Sequence, residues 1–347
     1  MKKNATIMTF RKIIDLFLIT LIVAHLGVSY YLSRQMNREM PVTGSVFIKI
    51  KKGETATAIG HNLKQNGLLA AAGAFRLAYS LYFSPRYLRA GEYLIESPSS
   101  PKKIMLQMIA GQVYLHAITI PEGLTIKEIG EILEAKSFPY EGSFQEACRN
   151  VRLISDLDPE ASDLEGYLFP ETYYLPAEIS AEEIVRVMVE RFKKVFHERY
   201  LARANELKMS VREVITLASL IEKETARAEE KPLVSAVFHN RLRLGMKLDC
   251  DPTIIYALKL EDRFDGNIRL KDKALDSPYN TYLYRGLPPG PICNPGLDSI
   301  EAALYPAPVD YLYFVSRNDG SHVFSRSYQE HQKAVIRYQL KKRGKIR

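Results

Sequence analysis

Residues 46–63 read VFIKIKKGETATAIGHNL, and residues 116–133 read HAITIPEGLTIKEIGEIL. The two stretches align position by position: Ile48 with Ile118, Ile50 with Ile120, Gly53 with Gly123, Thr55 with Thr125, Ile59 with Ile129, Gly60 with Gly130 and Leu63 with Leu133. In each, apolar residues alternate along a strand, a glycine supplies the turn, and a threonine caps the helix behind it. Thr125 and Glu128 have the spacing of a capping box. The repeated unit is therefore strand, turn, helix, and it places the chain in the α+β class. Glycine and threonine serve turn and cap here without any ligand. The first copy continues through LRAGEYLIESPSSPKKIMLQMIAG and fills a small α/β module, residues 45–115; the second, 116–136, opens a mixed helical and β domain, 116–347.

N-terminal to the first copy, residues 13–32 read IIDLFLITLIVAHLGVSYYL. At about 1.5 Å per residue this is long enough to cross about 30 Å of hydrocarbon, so one membrane-spanning helix is expected. Lys2, Lys3, Arg11 and Lys12 precede it, against Arg34 and Arg38 after it. The positive-inside rule then leaves residues 1–12 cytoplasmic, with a linker at 33–44 and the remaining chain outside. Tyr30 and Tyr31 suit the outer interface. A cleaved signal peptide fits less well, because the apolar stretch is long and no small-x-small site follows it. Asp15 near the inner end and a neutral His25 need no functional role.

The chain has 347 residues, net charge +8, 46% hydrophobic and 25% charged residues, room for two or three domains with real cores. A positive balance suits anionic surroundings. Lysines and arginines are scattered apart from the tail KKRGKIR, however, so nucleic acid is not an expected partner. Cys148, Cys250 and Cys293 form no CxxC pair, and no HExxH spacing accompanies the histidines; neither a metal nor an organic cofactor is expected.

From about residue 150 the pattern turns helical. Ser180 with Glu183 and Ser210 with Glu213 have capping-box spacing, the second before a helix that runs into LASLIEKETARAEE, residues 217–230. Val214, Leu217, Ala218 and Ile221 make its apolar stripe, with Arg212, Thr216 and Ser219 opposite. Glu222 and Glu224 fall on the two flanks of that stripe, and periodicity does not choose between them. Either acid would meet desolvation, and the negative end of a helix dipole if the helix stops there. Both effects raise a carboxyl pKa and suit a general acid. The plainer alternative is a solvated helix end with Glu224 paired to Arg227.

Further loops crowd tyrosines beside short polar residues: LEGYLFPETYYLP at 164–176, NRLRLGMKLDCDPTIIY at 240–256, SPYNTYLYRGLPPGPICNPG at 277–296, then YLYFVS and, across an Asn318-Asp319-Gly320 turn, SHVFS. Tyrosine faces with polar rims are a means of gripping sugars, although each tyrosine alone is also a core residue.

The strand-turn-helix unit resembles a LysM-like module, a fold that cradles peptidoglycan or chitin glycans. The longer motifs, LEGYLFPET, ASLIEKET, NRLRLGMKLDCDPTIIY, YNTYLYRGLPPGPICNPG and YLYFV…SHVFS…EHQK, resemble in order those of the YceG-like endolytic murein transglycosylases, over residues 45–340. The resemblance implies that Glu224 is the catalytic acid, with Glu222 supporting. Glu165, Glu171, Asp251, Thr253, Tyr279, Asn280, Tyr282 and His322 are groove or supporting candidates, each also explicable by packing. One departure is Cys250, where a polar residue is expected; Asp251 and Thr253 are in place. The implied activity is lytic cleavage of the bond between N-acetylmuramic acid and N-acetylglucosamine, outside the bacterial cytoplasmic membrane and close to it, with glycan-polymerising synthases and other elongation proteins as partners. Two rival readings are a lysozyme-like hydrolase and a non-catalytic peptidoglycan-binding scaffold.

Overall fold

The computed structural model describes residues 2–41 and 44–340, with side chains described from Phe10 onward. Val42 and Thr43 of the expected linker, the tail KKRGKIR, and the side chains of Lys2 and Lys3 lie outside the described residues. The chain divides into two compact units, Met1–His116 with Pro176–Glu178, and Ala117–Leu175 with Ile179–Arg347.

Unit 1 runs α1 (Lys2–Asn37), β1 (Ser45–Ile50), α2 (Ala56–Gln65), α3 (Ala72–Ala78), a π-helical turn (Tyr79–Phe83), β2 (Gly91–Glu96) and α4 (Pro101–Ala110). β1 and β2 pair antiparallel, with Ile48 opposite Tyr93. Gly53 turns the chain at φ +79°, a conformation that costs other residues steric energy, and the Thr55 hydroxyl accepts from the Ala58 N–H to start α2. Ile48, Ile50, Ile59 and Leu63, the aligned residues of the first copy, are buried with Phe75, Tyr93, Ile104 and Met108. Each such side chain contributes about 2 kcal/mol by burial.

α1 contains the one helix among the described residues long and apolar enough to cross a membrane, Phe10–Asn37. It outruns the expected span. Leu32 and Met36 are buried in the core of unit 1, so residues 33–37, expected as linker, are helix instead. The spacing of these two apolar residues, four apart on one helical face, is the reason.

The second copy is β3 (Leu115–Thr119), which belongs to unit 2 from Ala117 onward, and α5 (Ile126–Ala135), and Gly123 again turns the chain at φ +76°. The Thr125–Glu128 capping box is formed in both directions. β4 (Tyr140–Glu141), α6 (Phe144–Ala147), β5 (Thr172–Pro176), β6 (Ile179–Ser180), α7 (Ala181–Val195) and α8 (Glu198–Leu207) follow; β3 pairs with β5, and β4 with β6. At α7 the Ser180 hydroxyl accepts from the Glu183 N–H, but Glu183 turns to Arg186, so only half of the expected box forms. The chain continues through α9 (Val211–Glu224), α10 (Lys231–Arg243), α11 (Asp251–Leu260), α12 (Leu297–Leu304), the hairpin β7 (Tyr313–Ser316) and β8 (His322–Ser325), and α13 (Tyr328–Val335).

α9 is the central helix of this unit. Its Ser210–Glu213 capping box is complete, and Val214, Leu217, Ala218 and Ile221 are buried as the stripe predicts. Thr216 and Ser219, on the other side of the helix, are buried too. Ser219 spends its polarity internally: its hydroxyl donates to the Thr216 carbonyl at 2.7 Å and accepts from the Ile292 N–H at 3.0 Å. Short hydroxyl side chains let the loop around Ile292 close over a face that a surface helix would leave to water.

Candidate active site at the end of α9

Thr225 follows α9 in extended backbone, so Glu224 is the last helical residue, at the negative end of the helix dipole. The two flanking acids meet opposite surroundings. Glu222 accepts from the Ser299 hydroxyl at 2.6 Å, the Gly296 N–H at 3.1 Å and the Lys231 ammonium at 3.2 Å. Gly296 immediately precedes α12, so this carboxylate also lies at that helix's positive end. Through these three donors Glu222 ties together the ends of α9, α10 and α12. Lys231 has 5% of its side chain exposed and Glu222 9%. Glu122 approaches the same lysine at 3.9 Å. Burial and the Glu222 charge push the Glu122 carboxyl upward.

Glu224 keeps partial access to solvent, although protein surrounds its carboxyl. Burial pushes its pKa up to about 7; the Cys250 thiol, donating to the carboxylate, pulls the other way, the Asp251 charge raises it further, and the His322 and Arg241 charges lower it. A carboxyl so placed is substantially protonated near neutrality and still able to ionise, the condition for giving a proton and taking one back.

Charges from three other chain segments act on it, at Asp251, His322 and Arg241. Asp251 begins α11 and accepts from the Tyr282 hydroxyl at 2.6 Å and the Lys273 ammonium at 2.8 Å. Lys273 also lies 4.2 Å from the centre of the Tyr282 ring, which fixes that ring from its face. His322, at the start of β8, places its Nδ1 2.7 Å from Glu230, whose other oxygen accepts the His322 backbone N–H at 2.9 Å. An ionised Glu230 makes Nδ1 the protonated nitrogen. Burial pushes Glu230 upward, but the hydrogen bonds from His322 outweigh this and hold it below the usual carboxylate range. Arg241 donates to the carbonyls of Leu312 at 2.7 Å and Leu248 at 2.8 Å, holding α10 to β7 and to the approach to α11.

The remaining candidates stand elsewhere. Thr253 is buried, its hydroxyl donating to the Cys250 carbonyl at 2.7 Å, which shapes the turn carrying Cys250 and Asp251. Asn280 is buried and clamps its own loop, donating to the Leu275 carbonyl at 2.7 Å and accepting from the Tyr282 N–H at 2.9 Å. Tyr279 packs on Tyr256, ring centres 4.9 Å apart. Glu171 pairs with Arg191 at 2.6 Å. Glu165 accepts from the Ile126 N–H at 3.1 Å and the Asn294 amide at 2.9 Å. Burial pushes its pKa to about 8 against the pull of those donors.

Asn294 explains why these separate motifs converge behind α9. Its amide also donates to the Leu124 carbonyl at 2.9 Å, and its side-chain oxygen accepts from the Leu168 N–H at 2.8 Å. LEGYLFP, PICNPG and the glycine turn of the second copy are thus joined at one buried amide. Lys223 completes the support, donating to the Gly123 carbonyl at 3.0 Å. A cavity of about 620 Å³ lies in the same unit, lined in part by Glu128, Glu165, Tyr256 and Lys259 but not by Glu224. Among the described residues no group of three His, Cys, Asp or Glu is arranged to hold a metal ion.

Sequence reasoning passes over Glu230, Lys273 and Arg241. Glu230 and His322 are 92 positions apart, so nothing local marks them as partners. Cys250 is visible only as a departure from a motif, and its contact with Glu224 gives that departure a chemical consequence.

The YceG-like family model matches residues 48–337. An endolytic murein transglycosylase of Bacillus subtilis is 33% identical over 311 residues, 85% of each chain. One of Streptococcus pneumoniae is 29% identical over 90% of this chain, which spans 62% of that longer protein. A crystal structure of a yceG-like protein from Listeria monocytogenes superposes with a TM-score of 0.55 at 30% identity, covering 84% of this chain and 98% of that one.

Proposed function

Since the chain belongs to the YceG-like family, we propose that it is a lytic transglycosylase of peptidoglycan with Glu224 as its acid and base. The observation that carries this is the environment of Glu224, whose pKa is pushed up to about 7 at the partly accessible end of a buried helix. Protonated Glu224 gives its proton to the oxygen linking N-acetylmuramic acid to N-acetylglucosamine, and that bond breaks through an oxocarbenium-like state. The carboxylate then takes the proton of the muramic C6 hydroxyl, whose oxygen bonds to C1 and closes a 1,6-anhydro ring. Protons balance without water, and one carboxyl suffices. Asp251 and His322 bring charge to it, and the Tyr282 hydroxyl bonds to Asp251, ring and hydroxyl chemistry that sugars favour.

The apolar α1 supports a single-pass anchor, cytoplasmic at its N-terminus, which would keep cleavage on nascent strands near the bilayer and near the synthases that make them. The β1–α2–α3–β2 order of unit 1 supports a LysM-like role in holding glycan.

A hydrolase is the second reading, favoured by Asp251 as another carboxylate beside Glu224. Mass spectrometry of products from uncrosslinked glycan strands separates the two: anhydro ends are lighter by one water than reducing ends. Anhydro ends lost in Glu224→Gln support the proposal; reducing ends transfer it to the hydrolase, and no products to a binding scaffold.

A further inference from the structure

Unit 1 carries an apolar face that its own core leaves uncovered. Leu77, Leu81, Tyr82 and Tyr87 project from α3 and the chain just beyond it, Leu81 with 53% and Tyr87 with 83% exposed. On the other side of the same segment Phe75 and Ala78 are buried. The position of this face is fixed by α1: the Tyr82 hydroxyl donates to the Ser29 hydroxyl at 3.1 Å. Leu32 and Met36, on the following turns, enter the core of unit 1. A cavity of about 260 Å³ between the two elements is lined by Ser29, Leu32, Met36, Ala78, Tyr82 and Lys102.

Ser29 lies inside the apolar stretch 13–32, three residues before its end, hence about 4.5 Å below it along the helix. An embedded α1 therefore carries Tyr82 to the depth where hydrocarbon meets head groups. Tyrosine suits that depth, with an apolar ring and a polar tip, and Leu81 beside it supplies apolar area. Arg76, Arg86 and Lys102 are exposed around the same segment, a charge complement to anionic lipid.

We propose that the face bearing Leu77, Leu81, Tyr82 and Tyr87 rests in the outer head-group layer of the bilayer that α1 enters, so that unit 1 is docked on lipid. The proposal rests on the reading of α1 as a membrane anchor. It is tested on the full chain, which contains no tryptophan, by making each variant a single-tryptophan reporter. Ile19→Trp reports on the middle of α1, and Leu81→Trp on the face. Both are reconstituted in vesicles of phosphatidylethanolamine and phosphatidylglycerol with brominated acyl chains, which quench nearby indoles.

The expected result is that both lose most of their emission to the brominated lipid and that Leu81→Trp is shielded from aqueous iodide. Tyr87→Trp is expected to follow Leu81→Trp. If Ile19→Trp is quenched while Leu81→Trp stays bright, red-shifted and open to iodide, the anchor stands and the docked face is overturned. If neither is quenched by lipid, anchor and face fall together.

Discussion

Glu222 and Glu224 lie two residues apart and do different work because their neighbours differ. Glu222 meets three donors and Glu224 meets a thiol, a carboxylate and the interior. With a folded pKa raised to about 7, Glu224 stays protonated where the unfolded chain has ionised. Its contribution to stability is fully present below the unfolded carboxyl range and is lost as pH rises through about 7. Glu224→Gln should therefore abolish turnover, and its melting temperature relative to wild type should be higher at pH 8 than at pH 4, a difference read by thermal scans at both values. Activity of the wild type should fall as pH rises through the same value, because the resting acid must be protonated. Cys250→Ala removes a donor that lowers the Glu224 pKa, so the alkaline limb of kcat/KM should move to higher pH, with Cys250→Ser closer to wild type. An unmoved limb in Cys250→Ala would count against a thiol contact with the acid.

Among elements, the end of α9 is held by charges that α10 and α12 supply. Glu222→Ala strips a buried Lys231 of its nearest anion and should cost about 3 kcal/mol, seen as a lower urea midpoint with an unchanged slope. At the other end of the helix, Ser210→Ala should cost about 1 kcal/mol by the same measurement, because the Glu213 N–H loses its cap. Strand, turn, helix and the complete capping boxes at Thr125 and Ser210 were legible in local sequence, since caps and glycine turns act within three or four residues. Glu183 shows the limit of that reading: its spacing promised a box, but Arg186 competes for its carboxylate at 2.8 Å. Ser219 shows another, for a polar residue can be buried wherever a loop arrives to bond it.

At the scale of the molecule, two cores form around two copies of one local pattern. Phe75→Ala should destabilise unit 1 by about 4 kcal/mol and leave the unfolding of unit 2 in place, because separated sites add independently. Calorimetry resolving only one transition that shifts as a whole would contradict independent cores. The sequence by itself determined the repeated strand-turn-helix, the apolar helix at the N-terminus, the capped start of α9 and the two acids at its end. Each of these depends on contacts within a few residues. What only the tertiary structure decided was how those acids differ: which one accepts from Lys231, Gly296 and Ser299, and which one meets Cys250, Asp251 and His322. Those neighbours arrive from 9 to 98 positions away along the chain, and a carboxyl's proton affinity is set by whatever surrounds it in space, at distances no sequence period encodes.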